Sequence, residues 1–278
     1  MTKNIFITIL VVVITIMTAG CGQKEHIHKY TKATCTKAAV CECGEQDEEA
    51  RGHELVNGTC SVCGKTPKYE VGNFVILGDS YSAFEGSIPS TYASHYPKEY
   101  LDNEKQMWWS IFADNTKATL LHNESYSGAP ISYTGYSGGN AYSVSFIQRF
   151  EKLVNAGFFD NNVVDTIIIF GGTNDDWAGV PMGEVMYADW TVSDRCFFLP
   201  AFCYLLDRVQ TQLPDTEIVC VINGVGMSEE YIAGMEEVCK HYEVSYVKLT
   251  EIKMQGNHPT SEGMIEIERQ IRRIFEKE

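Results

Sequence analysis

Residues 163–175 read Val-Val-Asp-Thr-Ile-Ile-Ile-Phe-Gly-Gly-Thr-Asn-Asp. The run from Val163 to Phe170 is short, rich in β-branched residues and closed by two glycines. It predicts a strand buried on both faces, as in a parallel sheet with helices on either side. Outward from it the signal recurs. Phe74 to Leu77 is an apolar run ending at Gly78; Leu120 and Leu121 fit a second strand, Glu217 to Ile222 a fourth and Val244 to Leu249 a fifth. Amphipathic stretches lie between them. Residues 103–119 carry Trp108, Trp109, Ile111 and Phe112; residues 144–156 carry Val144, Ile147, Phe150, Leu153 and Val154. Both patterns suit helices with one buried face. Residues 195–213 predict a helix in which Pro200 imposes a kink or a late start. Ser228 is placed to open the next helix as its N-cap, and residues 260–277 predict a closing helix. Five strands alternating with helices make an α/β fold around one parallel sheet. Ligands of such sheets bind beyond the carboxyl ends of the strands.

The residues just after each strand are therefore informative. Gly78-Asp79-Ser80 comes after the first and puts Ser80 at a predicted strand-to-helix junction. Asn123 to Gly128 comes after the second, Gly171-Gly172-Thr173-Asn174-Asp175 after the third, and Gly256-Asn257-His258-Pro259 after the fifth. A serine after one turn is more often a helix cap than a nucleophile. Four polar blocks on one rim, in this order, are harder to dismiss. In them the chain resembles the SGNH (GDSL-like) hydrolase family from Asn73 to its C-terminus. The matching residues are Ser80 in Gly-Asp-Ser, Gly128 in the second block, Asn174 in Gly-Gly-Thr-Asn-Asp and His258 in His-Pro-Thr. The resemblance implies a three-layer, flavodoxin-like fold with five parallel strands and a serine esterase that needs no cofactor for catalysis.

It also implies roles. Ser80 is the nucleophile and His258 its base, since a serine hydroxyl is weak without one. The Ser80 N–H, the Gly128 N–H and the Asn174 amide are the donors of an oxyanion hole. One position departs from the family pattern: where an aspartate commonly stands three residues before the catalytic histidine, this chain has Gln255. Gln255, the Glu251 carboxylate or a backbone carbonyl in the stretch 251–256 is then left to orient His258, which predicts a dyad or a weakened triad. Other polar residues read as structural. Asp79 shapes the turn, His122 supports the rim, and His95 and His241 are surface groups. Cys196, Cys203, Cys220 and Cys239 read as buried thiols, with a Cys220–Cys239 disulfide as the alternative.

The N-terminus has its own logic. Lys3, the apolar run Ile5 to Met17 and the small residues before Cys21 form an export signal over residues 1–20. A transmembrane anchor is the rival reading, but the run is short for a span of ~20 residues. Thr-Ala-Gly-Cys resembles a bacterial lipobox, which implies lipidation of Cys21, a membrane partner and an extracytoplasmic, anchored lipoprotein at the cell surface or in the periplasm. Residues 21–70 are then a tether and a Cys/His-rich, zinc-ribbon-like module, and residues 71–278 the hydrolase domain. The module holds an imperfect repeat: His28 to Cys35 with Cys41 and Cys43, then His53 to Cys60 with Cys63. Cys41, Cys43, Cys60 and Cys63 are candidate ligands of a structural zinc, with His28, Cys35 and His53 as further candidates. A disulfide-stapled linker and a stretch without defined structure are the alternatives.

Composition narrows the partners. The chain has 278 residues and a formal net charge of −15, without a Lys/Arg cluster. That excludes a nucleic-acid partner, which needs clustered cations to neutralise phosphates. The stretch Tyr126 to Tyr142 is rich in Tyr, Gly and Ser, and Trp177 and Trp190 lie further along. Flat aromatics among small polar residues suit sugar rings, so the expected substrate is a small acyl group, such as acetyl, on a glycan. The alternatives are a lysophospholipase or thioesterase, and a catalytically weak glycan-binding surface protein.

Overall fold

The structure is a computed structural model that describes residues 27–48, 50–56 and 58–277. The signal segment 1–20 and Cys21 lie outside the described residues. The chain divides into two compact units, one ending at Ala50 and one beginning at Arg51.

The first unit is small. Ala39–Val40 pairs antiparallel with Gln46–Glu48, and Tyr30 bridges to Cys41.

The second unit holds the sheet: β1 Asn73–Gly78, β2 Thr119–Ser125, β3 Thr166–Phe170, β4 Glu217–Ile222 and β5 Ser245–Lys248. The strands are all parallel, in the order β5-β4-β3-β1-β2. The helices are α1 Trp108–Thr116, α2 Phe146–Asn155, α3 Phe158–Asn161, α4 Thr173–Trp177, α5 Phe198–Gln212, α6 Glu229–His241 and α7 Ser261–Arg272.

Alternation along β3 explains the layers. Ile167 and Ile169 pack with Phe150, Phe202 and Val238 of α2, α5 and α6. Ile168 and Phe170 face the other way, onto Phe112 of α1 and Ile267 and Ile271 of α7. Both faces are apolar because both are covered. Each fully buried aliphatic side chain contributes about 1.5–3 kcal/mol.

Boundaries differ from the sequence reading where backbone geometry intervenes. Pro200 causes a late start rather than a kink: α5 begins at Phe198, so the ring sits in the first turn, where no N–H is needed. The stretch 103–119 is split by an extended Met107 between a 3₁₀ turn, Glu104–Gln106, and α1. The closing helix stops at Arg272, because Glu276–Lys277 leaves it to pair with Lys68–Tyr69.

Candidate active site

Ser80 comes directly after β1. A Cβ on Gly78 would lie 2.4 Å from Ser125 Oγ, so a glycine lets β1 end this close to β2. Asp79 builds the turn: its Oδ1 accepts the Tyr81 N–H at 3.0 Å, and its carbonyl accepts the Ser82 N–H at 3.2 Å. The predicted strand-to-helix junction is not what forms. The chain leaves the turn into an irregular segment, residues 83–103, and the next helical turn begins at Glu104.

That segment returns to the serine. The Ala83 carbonyl accepts the N–H groups of His95 and Tyr96 at 3.1 and 3.0 Å, and Ser127 N–H bonds to the Ala93 carbonyl at 2.8 Å. His95, read from sequence as a surface group, is thereby brought into the site.

His258 lies on a short hairpin in which Met254–Gln255 pairs with His258–Pro259. Its Nε2 is 2.9 Å from Ser80 Oγ. Two hydroxyls hold the backbone on either side: Tyr81 donates to the Asn257 carbonyl and Tyr96 to the Pro259 carbonyl, both at 2.8 Å. His95 stacks on the imidazole with ring centres 3.5 Å apart and planes 7° from parallel. The Trp177 ring stands roughly perpendicular to it at 6.2 Å. Gln255 and Glu251 are both exposed. Among the described residues carboxylates pair with His28, His53 and His122, and none pairs with His258. Burial first, then the Lys98 ammonium, pushes His258 down to about 4. Burial, His258 and Lys98 push His95 down to about 4 as well. The stack therefore consists of two neutral imidazoles at neutral pH.

Asn174 occupies the first turn of α4 and joins three of the blocks. Its Nδ2 donates to Asp79 Oδ2 at 3.3 Å, beside Ser80, and to the Ala129 carbonyl at 3.2 Å, beside Gly128. Its Oδ1 accepts the Tyr136 hydroxyl at 2.8 Å. The neighbouring Asp175 accepts the N–H groups of Ile131 and Ser132 at 2.7 and 3.0 Å. Burial raises both acids, Asp79 to about 7 and Asp175 to about 6. Gly128 has φ +83°, a left-handed conformation that favours glycine, and a Cβ there would meet nothing within 4 Å. Conformation rather than crowding demands the glycine.

The remaining candidates fall outside the Ser80–His258 pair. His122 bonds to Glu124 at 2.7 Å, the supporting role expected of it. His241 is exposed and stacks on Tyr187. Trp190 is not at the site: it packs on Tyr204 and donates to the Met186 carbonyl. Ser228 stands at the N-cap of α6, but its N–H and hydroxyl both donate to Asp176 instead of capping. Cys220 and Cys239 are free thiols, not a disulfide. Cys41, Cys43 and His28 form one cluster in the first unit, and within the second unit Cys60 and Cys63 cluster with His53. Cys35 is buried.

A serine hydroxyl bonded to a histidine beyond the carboxyl ends of a 2-1-3-4-5 parallel sheet defines a three-layer α/β hydrolase of the SGNH kind. The sequence model of the GDSL-like lipase/acylhydrolase family matches residues 72–275, and the chain belongs to that family. Membership makes it a hydrolase acting on esters. A GDSL-like lipase structure from Bacteroides ovatus is 36% identical, with TM-score 0.68, over 74% of this chain and 98% of that one. One from Bacteroides uniformis is 35% identical, with TM-score 0.67, over 72% and 93%. A family two carbohydrate esterase from Clostridium thermocellum, solved with cellohexaose, shares the fold at 20% identity and TM-score 0.51, over 75% and 64%. No curated protein matches the chain.

Proposed function

We propose that the protein is an exported, membrane-anchored serine esterase that removes small acyl groups, acetyl above all, from glycans. The observation that carries this reading is the 2.9 Å contact between His258 Nε2 and Ser80 Oγ. That distance suits direct proton transfer. Ser80 Oγ attacks the ester carbonyl carbon while its proton passes to His258 Nε2. The carbonyl π pair moves to oxygen, and the oxyanion takes hydrogen bonds from the Ser80 and Gly128 N–H groups and the Asn174 amide. Asn174 must exchange one of its long bonds, 3.2 or 3.3 Å, for the oxyanion. The intermediate collapses, the alkoxide leaves, and His258 returns the proton to it. Water, activated by the same imidazole, then cleaves the acyl-serine and releases the carboxylic acid. The cycle consumes one water and needs no cofactor.

Three features support a sugar substrate. Tyr136 is 49% exposed, offers a flat ring, and is tied to Asn174 through its hydroxyl. The Trp177 ring lies beside His258. The Clostridium thermocellum relative by fold is a carbohydrate esterase. The Lys3-to-Cys21 signal supports export and anchoring.

The test is hydrolysis of p-nitrophenyl acetate by the chain beginning at Gly22, beside Ser80→Ala and His258→Ala. Activity abolished in both variants, together with acetate release from acetylated oligosaccharides by the wild type, is the expected result. Faster turnover of long-chain esters would replace the glycan reading with a lysophospholipase or thioesterase one. A folded wild type without activity would favour a binding protein.

A further inference from the structure

We propose that the Cys/His stretch binds two zinc ions, one at His28, Cys41 and Cys43 and one at His53, Cys60 and Cys63, and that Glu276 braces the second from the C-terminal strand. The two copies of the sequence repeat do the same thing in space. In each, the histidine Nδ1 faces a cysteine: His28 lies 3.3 Å from Cys43 Sγ, and His53 lies 3.4 Å from Cys63 Sγ. In each, the Nε2 is held by a carboxylate: Glu45 at 3.1 Å from His28, and Glu276 at 2.8 Å from His53. Cys41 and Cys60 complete the sets, and within each set the ligand atoms lie within 4.8 Å of one another. Zinc–sulfur and zinc–nitrogen bonds of about 2.3 and 2.0 Å at tetrahedral angles set sulfur and nitrogen about 3.5 Å apart, which matches. Two thiolates and an imidazole are soft enough to select zinc over magnesium or calcium. A carboxylate on the far nitrogen fixes the tautomer that leaves Nδ1 free to ligate, as outer-shell partners of metal-bound histidines do.

The second site is also built into the hydrolase unit. His53 is 2% exposed, and its carbonyl accepts from Arg272 Nη2 at 2.9 Å. Arg272 is in turn paired with Glu268 at 2.5 Å, both of them buried. Glu276 belongs to the strand that pairs with Tyr69. The metal loop is thus fastened at two points, the His53 carbonyl to Arg272 of α7 and the His53 Nε2 to Glu276 beyond it, and zinc binding there contributes to the stability of that end.

The experiment counts zinc by elemental analysis in the full chain purified in detergent. Two equivalents per chain are expected. Cys41→Ser and Cys63→Ser should each remove one and leave the other. Glu276→Gln keeps all six ligands and should weaken retention of one zinc by about 10–100-fold in competition with a chromophoric chelator. A count below two in the unmodified chain, or cysteines found as disulfides by mass before and after reduction, would overturn the assignment without reference to any variant. Unchanged zinc retention in Glu276→Gln would overturn the brace.

Discussion

The imidazole of His258 bonds to Ser80, and among the described residues no carboxylate pairs with it. Its depressed value, about 4, results from burial and Lys98 with nothing to offset them. A general base works only when neutral, and this ring protonates only as pH falls through that value. The acidic limb of kcat/KM should therefore lie near pH 4, well below the ~6.5 of a free imidazole. A pH–rate profile with its limb at 6.5 or above would contradict the environment described. Gln255 stands opposite His258 across the hairpin. Gln255→Asp puts a charge on that side, so the limb should move to higher pH while kcat rises or holds. A large fall in kcat would assign Gln255 a specific role. His95 is the other lever. With one face of His258 covered by a stacked ring, His95→Ala should lower kcat about 10-fold with KM unmoved, because the base loses its alignment. His95→Phe keeps a flat ring and should recover most of the loss. Equal kcat in all three proteins would make the stack incidental. Ser80, Gly128, Asn174 and His258 were legible because each comes after a strand or marks a family block. His95, Tyr81 and Tyr96 were not. The two tyrosine clamps join residues 176 and 163 positions apart, and no local pattern records such contacts.

At the scale of elements, α2 carries a device that no periodicity discloses. Arg149 is fully buried, yet it projects from a helix otherwise read by its apolar stripe. Its guanidinium donates to the carbonyls of Gly78, at 3.0 Å, and of Glu124, at the carboxyl ends of β1 and β2. Its Nε reaches the Val144 carbonyl at 2.9 Å, and the Phe146 ring lies against it at 4.4 Å. Burial lowers the group only to about 10, so it stays charged at neutral pH. Arg149→Met leaves those buried carbonyls without a donor and should cost about 3 kcal/mol in urea unfolding. Arg149→Lys should recover only part, lacking the planar fork. A loss below about 1 kcal/mol would mean water replaces the side chain at no penalty. The five strands and the major helices were legible because their apolar runs answer to burial alone. Their ends were not, since they depend on pairing at a distance: α7 yields to the strand that meets Tyr69, and the stretch after Ser80 yields to the backbone bonds that fold it back on Ala83.

For the whole molecule, charge bears on where the enzyme works. A net charge of −15 gives no attraction to an anionic lipid surface. The proposed membrane attachment then depends on the N-terminus, and the two readings of that segment make different molecules. If residues 1–20 are a signal, the chain recovered from membranes begins at Cys21 and carries acyl groups there. If they are an anchor, it begins at Met1 with an apolar segment intact. The proposed reading expects the first mass, and recovery of the second would sink it. It also expects the chain beginning at Gly22 to stay in solution when mixed with anionic vesicles, at low and high salt alike. Sedimentation with the vesicles would locate a membrane-binding surface on the folded units. Because Ser80 and His258 lie in the second unit, that soluble chain should hydrolyse p-nitrophenyl acetate with the kcat of the anchored form. In the proposed reading the anchor sets the enzyme's location, and the rim of the sheet sets its chemistry.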